Sequence, residues 1–120
     1  MKLITAIVRP EQLDDLIDVV IDNRGHGMTV TEVRGFGRQF GHFTAGPVDV
    51  GLPRSRKPAL LHKTRLDILV LDDDADAMVE AIAKHARTET IGDGKIWVTP
   101  VDGVTRIRTG ERGRDALWSA

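Results

Sequence analysis

The chain has 120 residues, 18 acidic and 17 basic side chains, a formal net charge of -1, and neither cysteine nor tyrosine. That length fits one domain; the near-neutral balance argues against a nucleic-acid coat or a membrane-surface protein, and the missing cysteines exclude disulfides and thiolate metal sites. No run approaches the roughly 20 apolar residues of a membrane span and no signal-peptide h-region opens the sequence, so a cytoplasmic protein without an integral membrane segment is expected.

Lys2–Val8 is an apolar, β-rich run stopped by Arg9-Pro10, and reads as a first strand. Leu13, Leu16, Ile17 and Val20 then recur at helical spacing, with Asp14, Asp15 and Asp18 elsewhere on the wheel. Asn23-Arg24-Gly25 supplies a C-terminal stop. A second strand, Met28–Phe36, contains the β-branched Thr29, Val30, Thr31 and Val33. It breaks at Gly35, Gly37 and Gly41, where backbone amides are free to face a ligand. Arg38 and Gln39 inside the break offer cationic donors and a carboxamide for an anion or a metal.

Residues 37–63 form a long connection with several Gly and Pro breakers and with Arg54, Arg56 and Lys57. In a small domain such a segment is usually functional or disordered. Thr64–Leu71 alternates as a third strand, and Asp72-Asp73-Asp74 is expected to cap the helix whose buried face is Ala75, Met78, Val79, Ile82 and Ala86. In Thr90-Ile-Gly-Asp-Gly-Lys-Ile-Trp97 a tight turn at Gly92, Asp93 and Gly94 delivers Lys95 onto a fourth strand, Lys95–Thr99. Farther on, alternation in Thr105-Arg-Ile-Arg-Thr-Gly110 is expected to send Arg106 and Arg108 to the same side. A tail, Arg112–Ala120, carries Trp118, which reads as a weakly ordered anchor or a cover for a site.

The order β-α-β-(long loop)-β-α-β predicts an α+β domain with the ferredoxin-like βαββαβ pattern. Its two helices would cover one face of the sheet. Val30, Leu66 or Ile68, and Ile96 or Val98 are expected to offer apolar cover for a partner on the other.

Three glycines in seven residues more often mark an ordinary loop than a site. Two glycine turns, a lysine and a pair of arginines together supply the charge that a polyphosphate needs. With these three motifs in this order, and with Met1-Lys2, Arg9-Pro10 and Leu13-Asp14-Asp15 at its start, the chain resembles the PII signal-transduction family over residues 1–111. The resemblance implies a non-enzymatic homotrimer that binds ATP, ADP or AMP in clefts between subunits and signals to a target protein through the 37–63 loop. It matches Gly37, Arg38 and Gly41 to the phosphate side of the first turn, and Gln39 to a residue that helps hold Mg²⁺ with ATP. Gly92, Asp93, Gly94 and Lys95 match the second phosphate turn. Thr29 matches a base contact from a neighbour, and Arg106 and Arg108 match a phosphate-clamping pair reaching across from it. Trp97 stands where the family usually has phenylalanine, near the base. Lys63 aligns with the lysine that pairs with 2-oxoglutarate, given about five extra residues in the loop.

The chain also departs from the family. Without tyrosine the loop cannot be uridylylated, and Ser55 does not match the phosphorylated-serine pattern. Nucleotide motifs kept beside a rewritten loop resemble PII-like proteins of inorganic-carbon metabolism, with bicarbonate as co-effector at the Arg38–Gly41 turn and Lys95. A nitrogen sensor using Gln39 and Lys63 is the alternative. A slow nucleotide or acyl-phosphate hydrolase has only the fold and the phosphate residues in its favour, and no general base is evident. His26, His42, His62 and His85 lack paired metal-ligand spacing, which weakens both a zinc site and a metal-tolerance trimer.

Overall fold

A computed structural model describes residues 1–37 and 59–118. In chain order the elements are β1 (Lys2–Val8), a single 3-10 turn (Pro10–Gln12), α1 (Leu13–Asp22), β2 (Thr29–Gly35), β3 (Leu61–Val70), α2 (Asp72–Ala86), β4 (Lys95–Pro100) and α3 (Arg114–Trp118). The strands form one antiparallel sheet in the order β2-β3-β1-β4. This is the ferredoxin-like α+β arrangement expected from the sequence.

Helical spacing decides what α1 and α2 bury. Leu16, Val19 and Val20 of α1, and Ala75, Met78, Ile82 and Ala86 of α2, close over Ile4, Ala6, Val8, Leu66, Ile68 and Val70 of the two central strands. Val79, Leu13 and Ile96 border this core half-buried. Asp72, Asp73 and Asp74 fill the first turn of α2 instead of capping it; Leu71 is at the N-cap, with no side-chain cap bond. Their charges still favour that end of the helix dipole.

Register corrects the expected cover for the open face. Partners directly across a ladder project to the same side, and Ala6 faces both Leu66 and Ile96 while Ile4 faces Ile68 and Val98. Leu66, Ile68, Ile96 and Val98 therefore lie on the helix side, as does Val30 opposite Leu66. The other side carries Leu3, Thr5, Ile7, Lys63, Arg65, Asp67, Leu69, Lys95 and Trp97. At its centre the Thr5 hydroxyl donates to Asp67 Oδ1 at 2.7 Å, and Arg65 Nε donates to Asp67 Oδ2 at 2.9 Å.

Two further expectations change. β3 begins at Leu61, so Lys63 lies inside the strand opposite Val33 and not before it. Thr105–Gly110 is a turn, not a strand: Thr105 bridges Arg112, the Arg106 amide donates to Glu111 O at 2.8 Å, and the Gly110 amide donates to Arg106 O at 2.8 Å. The turn reverses the chain within a few residues, so Arg106 and Arg108 are not presented by strand alternation. Beyond it the tail is helical as α3, with the Trp118 ring against His26.

Candidate functional site

The ends of β2, β3 and β1 and the loop into β4 meet around an open cleft of about 720 Å³. Gly37, Lys63, Gly92, Asp93, Gly94 and Lys95 all line it, so six of the residues expected at the site converge here. Ile7, Phe36, Ile91 and Trp97 give the same cleft an apolar wall. Such a mixture suits a ligand with one flat apolar part and one anionic part.

The turn from residue 88 to 94 owes its shape to Asp93. Its carboxylate accepts the Thr88 amide at 2.7 Å, the Glu89 amide at 2.8 Å, the Thr88 hydroxyl, and Arg9 Nε at 3.3 Å. Burial pushes the Asp93 carboxyl up, but the Thr88 hydroxyl and amide, Arg9 and the Thr90 amide outweigh it and hold the group at about 2. Asp93 is thus a turn-shaping residue whose oxygens are engaged within the chain.

Gly94 follows with φ +96, and a Cβ placed there would lie 1.7 Å from Ile7 O. The backbone runs so tightly against β1 that no side chain fits. Lys95 leaves the turn onto β4 with its side chain exposed at the cleft.

Arg9 is the residue that sequence reasoning missed. Its guanidinium also donates to the Thr90 hydroxyl at 2.9 Å and to Ile91 O at 2.9 Å, tying the end of β1 to the far turn. The available signal was a charged residue beside Pro10, which reads equally well as a plain strand stop. Lys63 Nζ donates to Gly92 O at 2.8 Å from the other side. Burial, then the nearby Arg9 charge, lowers the Lys63 pKa, with Glu11 and Asp93 opposing.

Thr29 and Arg106 line a second cleft of about 410 Å³ with His26, Asp67, Ala116 and Leu117. Ile7 marks the first cleft and Leu3 the second. They are four positions apart along β1, about 13 Å of strand. Within one chain, then, Thr29 and Arg106 are not brought to the Gly92–Lys95 turn. Arg108 is exposed in the 105–112 turn and lines neither cleft. Arg38, Gln39 and Gly41 lie outside the described residues, as does most of the 37–63 loop. Among the described residues no cluster of three His, Asp or Glu side chains could hold a metal ion, and no helix is long and apolar enough to cross a membrane.

The sequence profile described as "Nitrogen regulatory protein P-II" matches residues 1–111. The chain is 48% identical over 117 residues to nitrogen regulatory protein P-II 2 of Methanothermobacter thermautotrophicus, covering 98% of this chain and 97% of that one. It is 45% identical over 117 residues to nitrogen regulatory protein P-II of Pasteurella multocida, covering 98% and 100%. With nitrogen regulatory protein P-II of Rhizobium meliloti it shares 42% identity over 119 residues, again covering 98% and 100%.

Proposed function

The chain belongs to the nitrogen regulatory protein P-II family, and on that premise we propose that it senses adenine nucleotides in clefts between the subunits of a homotrimer. Its relatives are named as regulatory proteins, not enzymes, which leaves the hydrolase reading without support. The observation that carries the proposal is the convergence of Gly37, Lys63 and the Gly92–Lys95 turn on one cleft beside Trp97. Phosphates would meet the turn amides and Lys95, while the base would lie toward Trp97, Phe36 and Ile91.

The separation of the two clefts along β1 favours an assembly. In a closed ring, one copy's Gly92–Lys95 turn can meet the next copy's Thr29, Arg106 and Arg108. ATP, ADP and AMP differ in how many of these cations they engage, and that difference supplies the energy for a switch. Arg38, Gln39 and Gly41, at the start of the 37–63 loop, are proposed to report the γ-phosphate, with Gln39 assisting Mg²⁺, and to pass its state to a cytoplasmic target protein.

For the co-effector, the names of the relatives favour nitrogen sensing over inorganic carbon. 2-Oxoglutarate would place a carboxylate on Lys63, which already points at Gly92 O in the cleft. Bicarbonate gains no support from those relatives. Calorimetric titration with ATP and with ADP, each with and without Mg²⁺, 2-oxoglutarate and bicarbonate, tests the reading. Mg-ATP binding sharpened by 2-oxoglutarate is the expected result. Sharpening by bicarbonate alone would restore the inorganic-carbon role, and absence of nucleotide binding would overturn the proposal.

A further inference from the structure

Arg106 is already in use. Its Nη2 donates to Ala116 O on α3 at 2.9 Å and its Nη1 to Glu111 Oε1 at 3.4 Å. At the start of α3 the Gly113 amide donates to Val104 O at 3.0 Å, and further contacts lie at its end. The Trp118 ring is 4.3 Å from the His26 ring at a 54° tilt, and the Arg24 guanidinium carbon lies 5.7 Å from its centroid, while Arg114, 5.6 Å away, belongs to α3 itself.

A five-residue helix has no stability of its own. Exposed cation–π contacts are individually weak. Among the described residues α3 is held by Arg106, the Gly113 amide bond to Val104 O at 3.0 Å, the buried Ala116 and the Trp118–His26 contact, and it forms part of the wall of the cleft that holds Thr29 and Arg106. Elements held this loosely are the ones that move when a ligand arrives.

We propose that α3 is a latch on the nucleotide site: an anion taken up by Arg106 withdraws the guanidinium from Ala116 O and loosens the Trp118 cluster. This rests on the nucleotide reading above and adds a regulation to it. A phosphate is best held by two parallel N–H donors. Glu111 and Ala116 O each engage one N–H, on Nη1 and Nη2, which fixes the orientation of the guanidinium, and the Glu111 carboxylate repels an incoming phosphate. Binding and latch closure therefore compete for one guanidinium. Reciprocity follows: if nucleotide binding opens the latch, weakening the latch tightens nucleotide binding, by at most the factor by which it is weakened.

The full chain labelled with 5-fluorotryptophan carries two reporters, Trp97 in the first cleft and Trp118 on α3. Trp118→Ala assigns their ¹⁹F resonances. On adding Mg-ATP, Trp97 should shift through occupancy of its cleft, and Trp118 should move toward its position in the denatured chain. Calorimetry should show Trp118→Ala binding ATP about three-fold more tightly. A Trp97 shift and a binding heat with Trp118 unmoved, or Trp118→Ala binding no more tightly, would overturn the latch and leave the nucleotide site standing. No heat and no shift at either tryptophan would overturn both.

Discussion

Arg9 and Asp93 are 84 positions apart in the sequence and 3.3 Å apart in the fold, and their contact joins the central strand to the turn that opens the candidate site. Neither side chain is more than about a fifth exposed, at 17% and 21%. The pair lies within a set of bonds that also fixes Thr88, Glu89, Thr90 and Ile91. Replacing Arg9 by Ala should lower unfolding stability by about 2 kcal/mol, because the Asp93 carboxylate, the Thr90 hydroxyl and Ile91 O lose a charged donor. Nucleotide affinity should fall with it, since the turn amides are no longer held in place. Chemical denaturation and calorimetry on one preparation read both effects.

Asp93 has a folded pKa of about 2 against an ordinary value of 3.8. A depressed carboxylate contributes stability that is fully present above its unfolded pKa and is lost as pH falls through the folded one. Unfolding stability should therefore decline from about pH 4 down to about pH 2. Asp93→Asn should be less stable at neutral pH and flatter across that window. A profile for the Asn variant parallel to the parent's would remove Asp93 from the account.

Gly94→Ala forces a methyl against Ile7 O while holding φ at +96. The clash is with backbone, which cannot swing away, and the left-handed φ adds its own penalty. We expect a loss of about 3 kcal/mol or more. Gly103→Ala, with nothing within 4 Å of its Cβ, should stay within about 0.5 kcal/mol of the parent. Thermal melts of the two variants separate these outcomes.

Lys95→Ala and Arg108→Ala should each weaken ATP binding about ten-fold, the scale of one charge-assisted contact. Unchanged affinity in both would remove the phosphate assignment. Lys63→Met should lose the enhancement by 2-oxoglutarate, while ATP alone still binds, somewhat more weakly because Gly92 O loses its donor. A protonated Lys63 is needed to hold that carboxylate, and its pKa is lowered. The enhancement should thus fade as pH rises through a value below the usual lysine range.

What the sequence disclosed follows from what is local. The periodicity of α1 and α2, the β-branched run from Thr29, and the Gly92-Asp93-Gly94 turn are all visible within a few residues. The phase of an alternating strand is not: Leu66 and Ile68 alternate correctly, but only the register with Ala6 and Ile4 shows which side they take. Arg9 escaped for the same reason, as its three contacts are 81 to 84 positions away. Arg106 and Arg108 show their charge in the sequence but not how they are presented, because a turn closed by Gly110 and Glu111 has the spacing of a strand. α3 is too short to leave a periodic signal.

Asp67 lies at the centre of the open sheet face, opposite Thr5 and Thr29. Burial pushes the Asp67 carboxyl up, but hydrogen bonds from Arg65 and Thr5 prevail and hold it below its usual range. Symmetry multiplies whatever a surface presents. A lone aspartate on an axis would confront its own images, three like charges converging where water is squeezed out. Asp67 comes with its counter-ion Arg65 beside it on the same strand, so its charge is balanced within the chain. In the proposed trimer, a face carrying this pair would need no borrowed cation and no proton uptake to meet its own images.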